Sequence, residues 1–205
     1  MIRKAAYSIL SAGPVSPRGE YQPYTLAIQS AALKLAAQLI REPALDGAAT
    51  LWQASIEKWT LSKGLIYSSA NTSSGNMNSE EETGQNEGFL ELVRLGVRGA
   101  EDPRVIATLN AYTSSLSQNR FRPVHAGELG HYSVATGDLE EARRNLQVLE
   151  EAALATGLIP EQIANLKERR VGLGVACPLV WAHAEGILLH RSILEGSVFD
   201  APRYR

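Results

Sequence analysis

Thiol chemistry is almost absent from this 205-residue chain, which has one cysteine, Cys177. A lone cysteine excludes an intrachain disulfide, and with no second thiol it excludes a cysteine-based zinc site. Neither charge is in marked excess, since 20 Lys and Arg against 22 Asp and Glu leave a formal net charge of −2. The basic residues are spread along the chain, so the electrostatic footprint of a nucleic-acid binder is missing. No apolar run approaches the roughly 18 residues that a membrane span requires. A G-x-S-x-G elbow is lacking too, and Cys177 has no suitably placed partner, which leaves serine and cysteine nucleophile schemes unsupported. Gly172-Leu173-Gly174 lacks both the following glycine and the preceding strand of a nucleotide-binding turn. Period-two alternation bounded by turns is scarce, which argues against a sheet protein.

What is present describes an ordinary globular chain, with 44% hydrophobic and 20% charged residues. Its length suits one large domain or at most two small ones, with enough chain to bury a core. We read residues 1–205 as a single helical domain. Near the N-terminus, Arg3 and Lys4 precede an apolar stretch that is short and broken by Tyr7 and Ser8. That favours an ordinary helix over a secretory signal, and with it the cytoplasm.

Apolar residues at helical spacing dominate, and they predict about eight helices. The first covers residues 2–12 and stops at Gly13-Pro14. A second starts near Thr25, carries the stripe Leu26, Ala27, Ala31, Ala32, Leu35, Ala36 and Leu39, and is closed by Pro43. A third spans residues 45–60 with Leu51, Trp52, Ile56 and Trp59 on one side and Lys63-Gly64 beyond its end; both tryptophans read as core. Residues 68–87 are rich in Ser, Asn, Gly and Glu and read as a long exposed loop, with Glu80-Glu81-Glu82 a solvated charge run. Helical spacing resumes over residues 88–95, breaks at Asp102-Pro103 and continues through Val105, Leu109, Tyr112 and Leu116. Shorter helices are expected at residues 126–136 and 138–155, the latter N-capped by Asp138 in a capping box with Glu141. The last helix covers residues 177–194, after a loop from residue 157 to 176.

Three groups of residues carry candidate chemistry. Pro160-Glu161-Gln162 offers a loop carboxylate, and Trp181 opens the final helix with an indole. A carboxylate activates water and a flat aromatic face covers the apolar side of a pyranose, so the pair suits glycoside hydrolysis. Trp181 is open to two readings, a stacking platform or a buried indole. His183 and His190 are seven apart on one helical face, but a third metal ligand is lacking and no metal is expected. Glu128 and His131 form a potential acid and base pair that capping and packing explain equally simply.

Five blocks share the wording of one family. They are Gly13-Pro14-Val15-Ser16-Pro17 with Tyr21 and Thr25-Leu26-Ala27; Trp52 to Thr60; Gly88-Phe89-Leu90-Glu91-Leu92-Val93-Arg94-Leu95-Gly96 with Asp102-Pro103-Arg104; Gly127-Glu128-Leu129-Gly130-His131-Tyr132; and Pro160-Glu161-Gln162 with Pro178-Leu179-Val180-Trp181-Ala182-His183-Ala184-Glu185. Together they resemble the bacterial glucoamylase-like enzymes of glycoside hydrolase family 15. The resemblance implies an all-α (α/α)6 toroid, here incomplete, that inverts configuration as it releases glucose from the non-reducing ends of α-glucans without a cofactor. It implies Glu161 as general base and Trp181, Tyr21 and Gln162 as substrate-binding residues. Its general acid belongs to a Trp-Glu-Glu segment that is absent here, leaving Glu20 as the nearby carboxylate. An Arg-Tyr-Asn stretch that should precede Pro123 is absent too, and Leu129 stands where the family usually has Arg. The block order further implies that the family's first four helices are missing. A second copy of the chain would then cover the open inner face. Two other readings follow from the same resemblance: a catalytically inactive remnant that binds carbohydrate or a partner, and a member that hydrolyses trehalose or dextran.

Overall fold

Eight helices and two short ladders make up the regular structure among the described residues. The structure is a computed structural model, and it describes residues 1–17, 19–62, 66–67, 70–71, 88–116, 121–163 and 175–203. Lys63-Gly64, Glu80-Glu81-Glu82 and Gly172-Leu173-Gly174 lie outside the described residues. The architecture is all-α, as the periodicity predicts, and the chain divides into two compact units.

The first unit comprises residues 1–111 and 201–205. It begins with α1 (Ile2–Ala12), which ends where Gly13 takes a left-handed φ of 79°. α2 (Pro23–Ile40) and α3 (Pro43–Thr60) follow, each with proline in its first turn. There the fixed φ suits the helix and the missing N–H is one that has no intrahelical partner anyway. α2 therefore starts earlier than Thr25, and Pro43 opens α3 rather than closing α2. Small residues let these helices meet, because Ala6, Leu33, Ala36, Ala37, Leu45, Ala49 and Trp52 form one buried cluster. The expected α2 stripe is only partly buried: Leu26, Ala27, Ala31 and Ala36 are inside, while Leu35 and Leu39 are exposed. Trp52 is core as expected, and Trp59 is partly buried against the same cluster.

Two ladders of two residues each were not expected from the sequence. β1 (Glu20–Tyr21) pairs antiparallel with β4 (Ala70–Asn71), and β2 (Leu61–Ser62) with β3 (Ile66–Tyr67). The expected helix at residues 88–95 contracts to α4 (Glu91–Arg94), preceded by turn residues 88–90. α5 (Pro103–Leu116) then starts where Asp102-Pro103 predicts.

The second unit comprises Tyr112–Asp200 and is built on α6 (Pro123–Ala135), α7 (Leu139–Glu151) and α8 (Val180–Glu195). Asp138 caps α7 by accepting the Glu141 N–H at 2.9 Å. The return half of the expected capping box is replaced, since the Glu141 carboxylate receives Arg144 and Asn145 instead. α6 and α8 pack closely because Gly127 lies against Glu185, where an added Cβ would stand 2.6 Å from the Glu185 Cβ. Two apolar clusters fill the unit, one holding Val124, Leu149, Ile159, Ile163 and Ala182, the other Val134, Ala142, Leu189 and Ile193. No described helix is long and apolar enough to cross a membrane.

Candidate active site

The loop carrying Pro160-Glu161-Gln162 is fixed along its whole described length. Ile159 and Pro160 are buried, while Glu161 and Gln162 are half-buried. Phe121 and Ile163 exchange both backbone hydrogen bonds, at 3.1 and 2.9 Å, which ties the loop to the segment entering α6. The Glu161 N–H donates to the Ala176 carbonyl at 2.8 Å, and the Leu179 N–H donates to the Ile159 carbonyl at 2.8 Å. The Ile159 N–H donates to His183 Nε2 at 3.0 Å.

Arg122, the N-cap residue of α6, donates from Nη2 to Glu161 Oε1 at 3.1 Å. The Glu161 side chain stays 31% exposed, so the carboxylate has both a counterion and open access. Trp181, in the first turn of α8, is 44% exposed, which excludes the reading of a fully buried indole. His183 is engaged with Ile159, and His190 is exposed. Among the described residues no group of three or more His, Cys, Asp or Glu side chains is placed to hold a metal ion.

Glu20 and Tyr21 belong to the first unit. Glu20 is held by its backbone, which accepts the Ser16 N–H at 2.8 Å and donates to Ser16 Oγ at 3.3 Å. Its carboxylate accepts Gln22 Nε2 at 2.8 Å. One face of the Tyr21 ring stacks on Trp59, with centroids 4.7 Å apart and planes 12° from parallel.

Glu128 and His131 lie in the core, at 4% and 1% exposure. His131 Nε2 lies 3.4 Å from Glu185 Oε2 on α8, and its Nδ1 lies 3.5 Å from Ser192 Oγ. Serine, histidine and glutamate in that order copy the outline of a hydrolase triad. Ser192 is fully buried, however, and its hydroxyl donates to the Leu188 carbonyl at 2.8 Å while accepting the Phe199 N–H at 3.0 Å. No substrate reaches it, and the trio is a packing device between α6 and α8.

A loop carboxylate with a fixed backbone, an arginine counterion and an exposed indole in the neighbouring helix is the equipment of a carbohydrate-active protein. The sequence profile described as Glycosyl hydrolases family 15 matches residues 17–174, and the chain belongs to that family. Glu20, Tyr21, Glu161 and Gln162 fall inside the matched span; α8, with Trp181 and His183, lies beyond it. Among curated proteins the chain is similar to the glucoamylase of Clostridium sp. (strain G0005), 31% identical over 144 residues. That alignment covers 56% of this chain and 20% of the relative, so the chain spans about one fifth of the enzyme it matches. Arg122 and the loop-holding bond of His183 carried no signal in the sequence, because both depend on segments that meet only in the fold.

Proposed function

We propose that the chain is a glucoamylase-like glycoside hydrolase that releases glucose from the non-reducing ends of α-glucans with inversion. The observation that carries this reading is Glu161, held in place by its backbone and paired with Arg122 while its carboxylate remains open to solvent. In the proposed reaction Glu161 removes a proton from a water on the far side of the sugar ring, and that water attacks the anomeric carbon as the glycosidic bond breaks. Inversion needs the second carboxyl about 6.5–9.5 Å from the first, to protonate the leaving oxygen and leave room for the water. Glu20 is the candidate for that acid. Trp181 and Tyr21 would offer aromatic faces to glucose units, and Gln162 a side-chain amide to their hydroxyls. The chemistry calls for no cofactor.

Glucose release from maltooligosaccharides by purified protein, with Glu161→Gln as control, tests the proposal. The wild type is expected to turn over and to release β-glucose first, with Glu161→Gln lower by about 10²–10⁴-fold. A wild type equal to the control, in protein shown to be folded, refutes it.

A second reading, a sugar-binding protein without catalysis, has its own observation. The Glu20 carboxylate already receives Gln22, and one Tyr21 face is covered by Trp59. Binding of maltooligosaccharides by calorimetry without turnover, lost in Trp181→Ala, would establish that reading.

A further inference from the structure

Glu161 follows a residue whose two peptide groups are both held by the start of α8. The carbonyl of Ile159 accepts the N–H of Leu179, the N-cap residue of that helix, at 2.8 Å. Its N–H donates to the side chain of His183 at 3.0 Å. Leu179 and His183 are four residues apart, one helical turn, so a backbone donor and a side-chain acceptor on one face close around a single residue. Ile159 is 6% exposed, which leaves no water to take over the bond if the acceptor is lost.

We infer that His183 is a positioning residue for Glu161, an inference that rests on the reading of Glu161 as the base given above. Pro160, between Ile159 and Glu161, has no N–H to anchor and a φ fixed by its ring. The orientation of Ile159 is therefore passed on to Glu161 with little freedom to absorb an error. Because Nε2 accepts, the ring proton of a neutral His183 resides on Nδ1. This use of Nε2 also separates His183 from its exposed neighbour His190 on the same helix. The spacing that first draws attention to the two histidines is a by-product of one of them facing the loop.

Two substitutions test the inference in the full chain. His183→Leu removes the acceptor, and His183→Gln brings an amide oxygen to the place of Nε2. In His183→Leu the Ile159 amide is expected to exchange its hydrogen at least about tenfold faster. The kcat on maltooligosaccharides is expected to fall on the order of 100-fold with KM unchanged, as for a misplaced reacting group. His183→Gln restores both. Should His183→Leu not fold, His183→Asn, polar but too short to reach Ile159, takes its place with the same expectations. Unchanged exchange at Ile159 overturns the inference, as does faster exchange with an unchanged kcat in an active wild type. A wild type without turnover sinks the base reading alone, and the titration of the Glu161 carboxyl by NMR then decides. A midpoint moved in His183→Leu and restored in His183→Gln upholds the positioning role; identical midpoints overturn it.

Discussion

The two units handle their polar groups in opposite ways. In the first, charges gather at a half-buried junction around Glu57 of α3. Arg98 donates to it from Nε and Nη2 at 2.7 and 2.9 Å, Arg104 lies 3.1 Å away, and the Tyr67 hydroxyl donates at 2.9 Å. Asp102 completes the junction by holding Arg104 from the other side. Burial alone would raise the Glu57 carboxyl, but the Arg98 guanidinium and the Tyr67 hydroxyl more than offset it and hold the group below its ordinary value. Burial pushes the Tyr67 hydroxyl up, and the Glu57 carboxylate adds to the push. In the second unit the polar groups sit inside the helix interface, where His131, Glu185 and Ser192 are 1%, 4% and 0% exposed. A junction of opposite charges near the surface tolerates imperfect geometry because water still screens it, whereas a buried set depends on each partner.

That contrast is broken first by removing one partner from the buried set. Glu185→Ala is expected to cost about 3–5 kcal/mol in urea denaturation, because His131 loses its partner and the core loses volume. Glu57→Gln, at the surface junction, is expected to cost about 2 kcal/mol, the worth of hydrogen bonds to a charged group. Equal losses for the two would erase the distinction between the units. Acid sharpens it. The Arg104 guanidinium holds the Asp102 carboxyl at about 2, against an ordinary 3.8. Both Asp102 and Glu57 are lowered, so their stabilisation is complete above about pH 5 and drains as pH falls through 4 toward 2. Calorimetric melting from neutral pH to about pH 2 should show that loss, and Asp102→Asn should flatten it. The smallest effect belongs to the cap of α7, where Asp138→Ala is expected to cost about 1 kcal/mol.

Much of the helical frame was legible because its signals are local. Gly13 ends α1, Pro103 starts α5 and Asp138 caps α7, each readable from neighbours in the chain. Pro43 was readable as a boundary but not as a beginning, since a proline that bars one helix opens the next. The two-residue ladders were illegible because two residues show no alternation. Residues 88–95 mislead for another reason: apolar spacing marks what is buried there, yet only Glu91–Arg94 close as α-helix. At the site, Glu161 and Trp181 were named through resemblance, while Arg122 and the Ile159 bond of His183 required α6, the loop and α8 to come together. The Ser192, His131 and Glu185 trio depends in the same way on α6 meeting α8.

Proline begins α2, α3, α5 and α6. Each such residue is a point where the helical phase is set afresh, whatever the chain did just before it. Both family segments missing from this sequence, the Trp-Glu-Glu and the Arg-Tyr-Asn, would lie immediately upstream of one of these points, Pro23 and Pro123. A deletion there shortens a connection without rotating the helix that follows, so no apolar side chain is turned away from its neighbours. The architecture therefore lets catalytic wording be erased while the helices that once displayed it stay in phase.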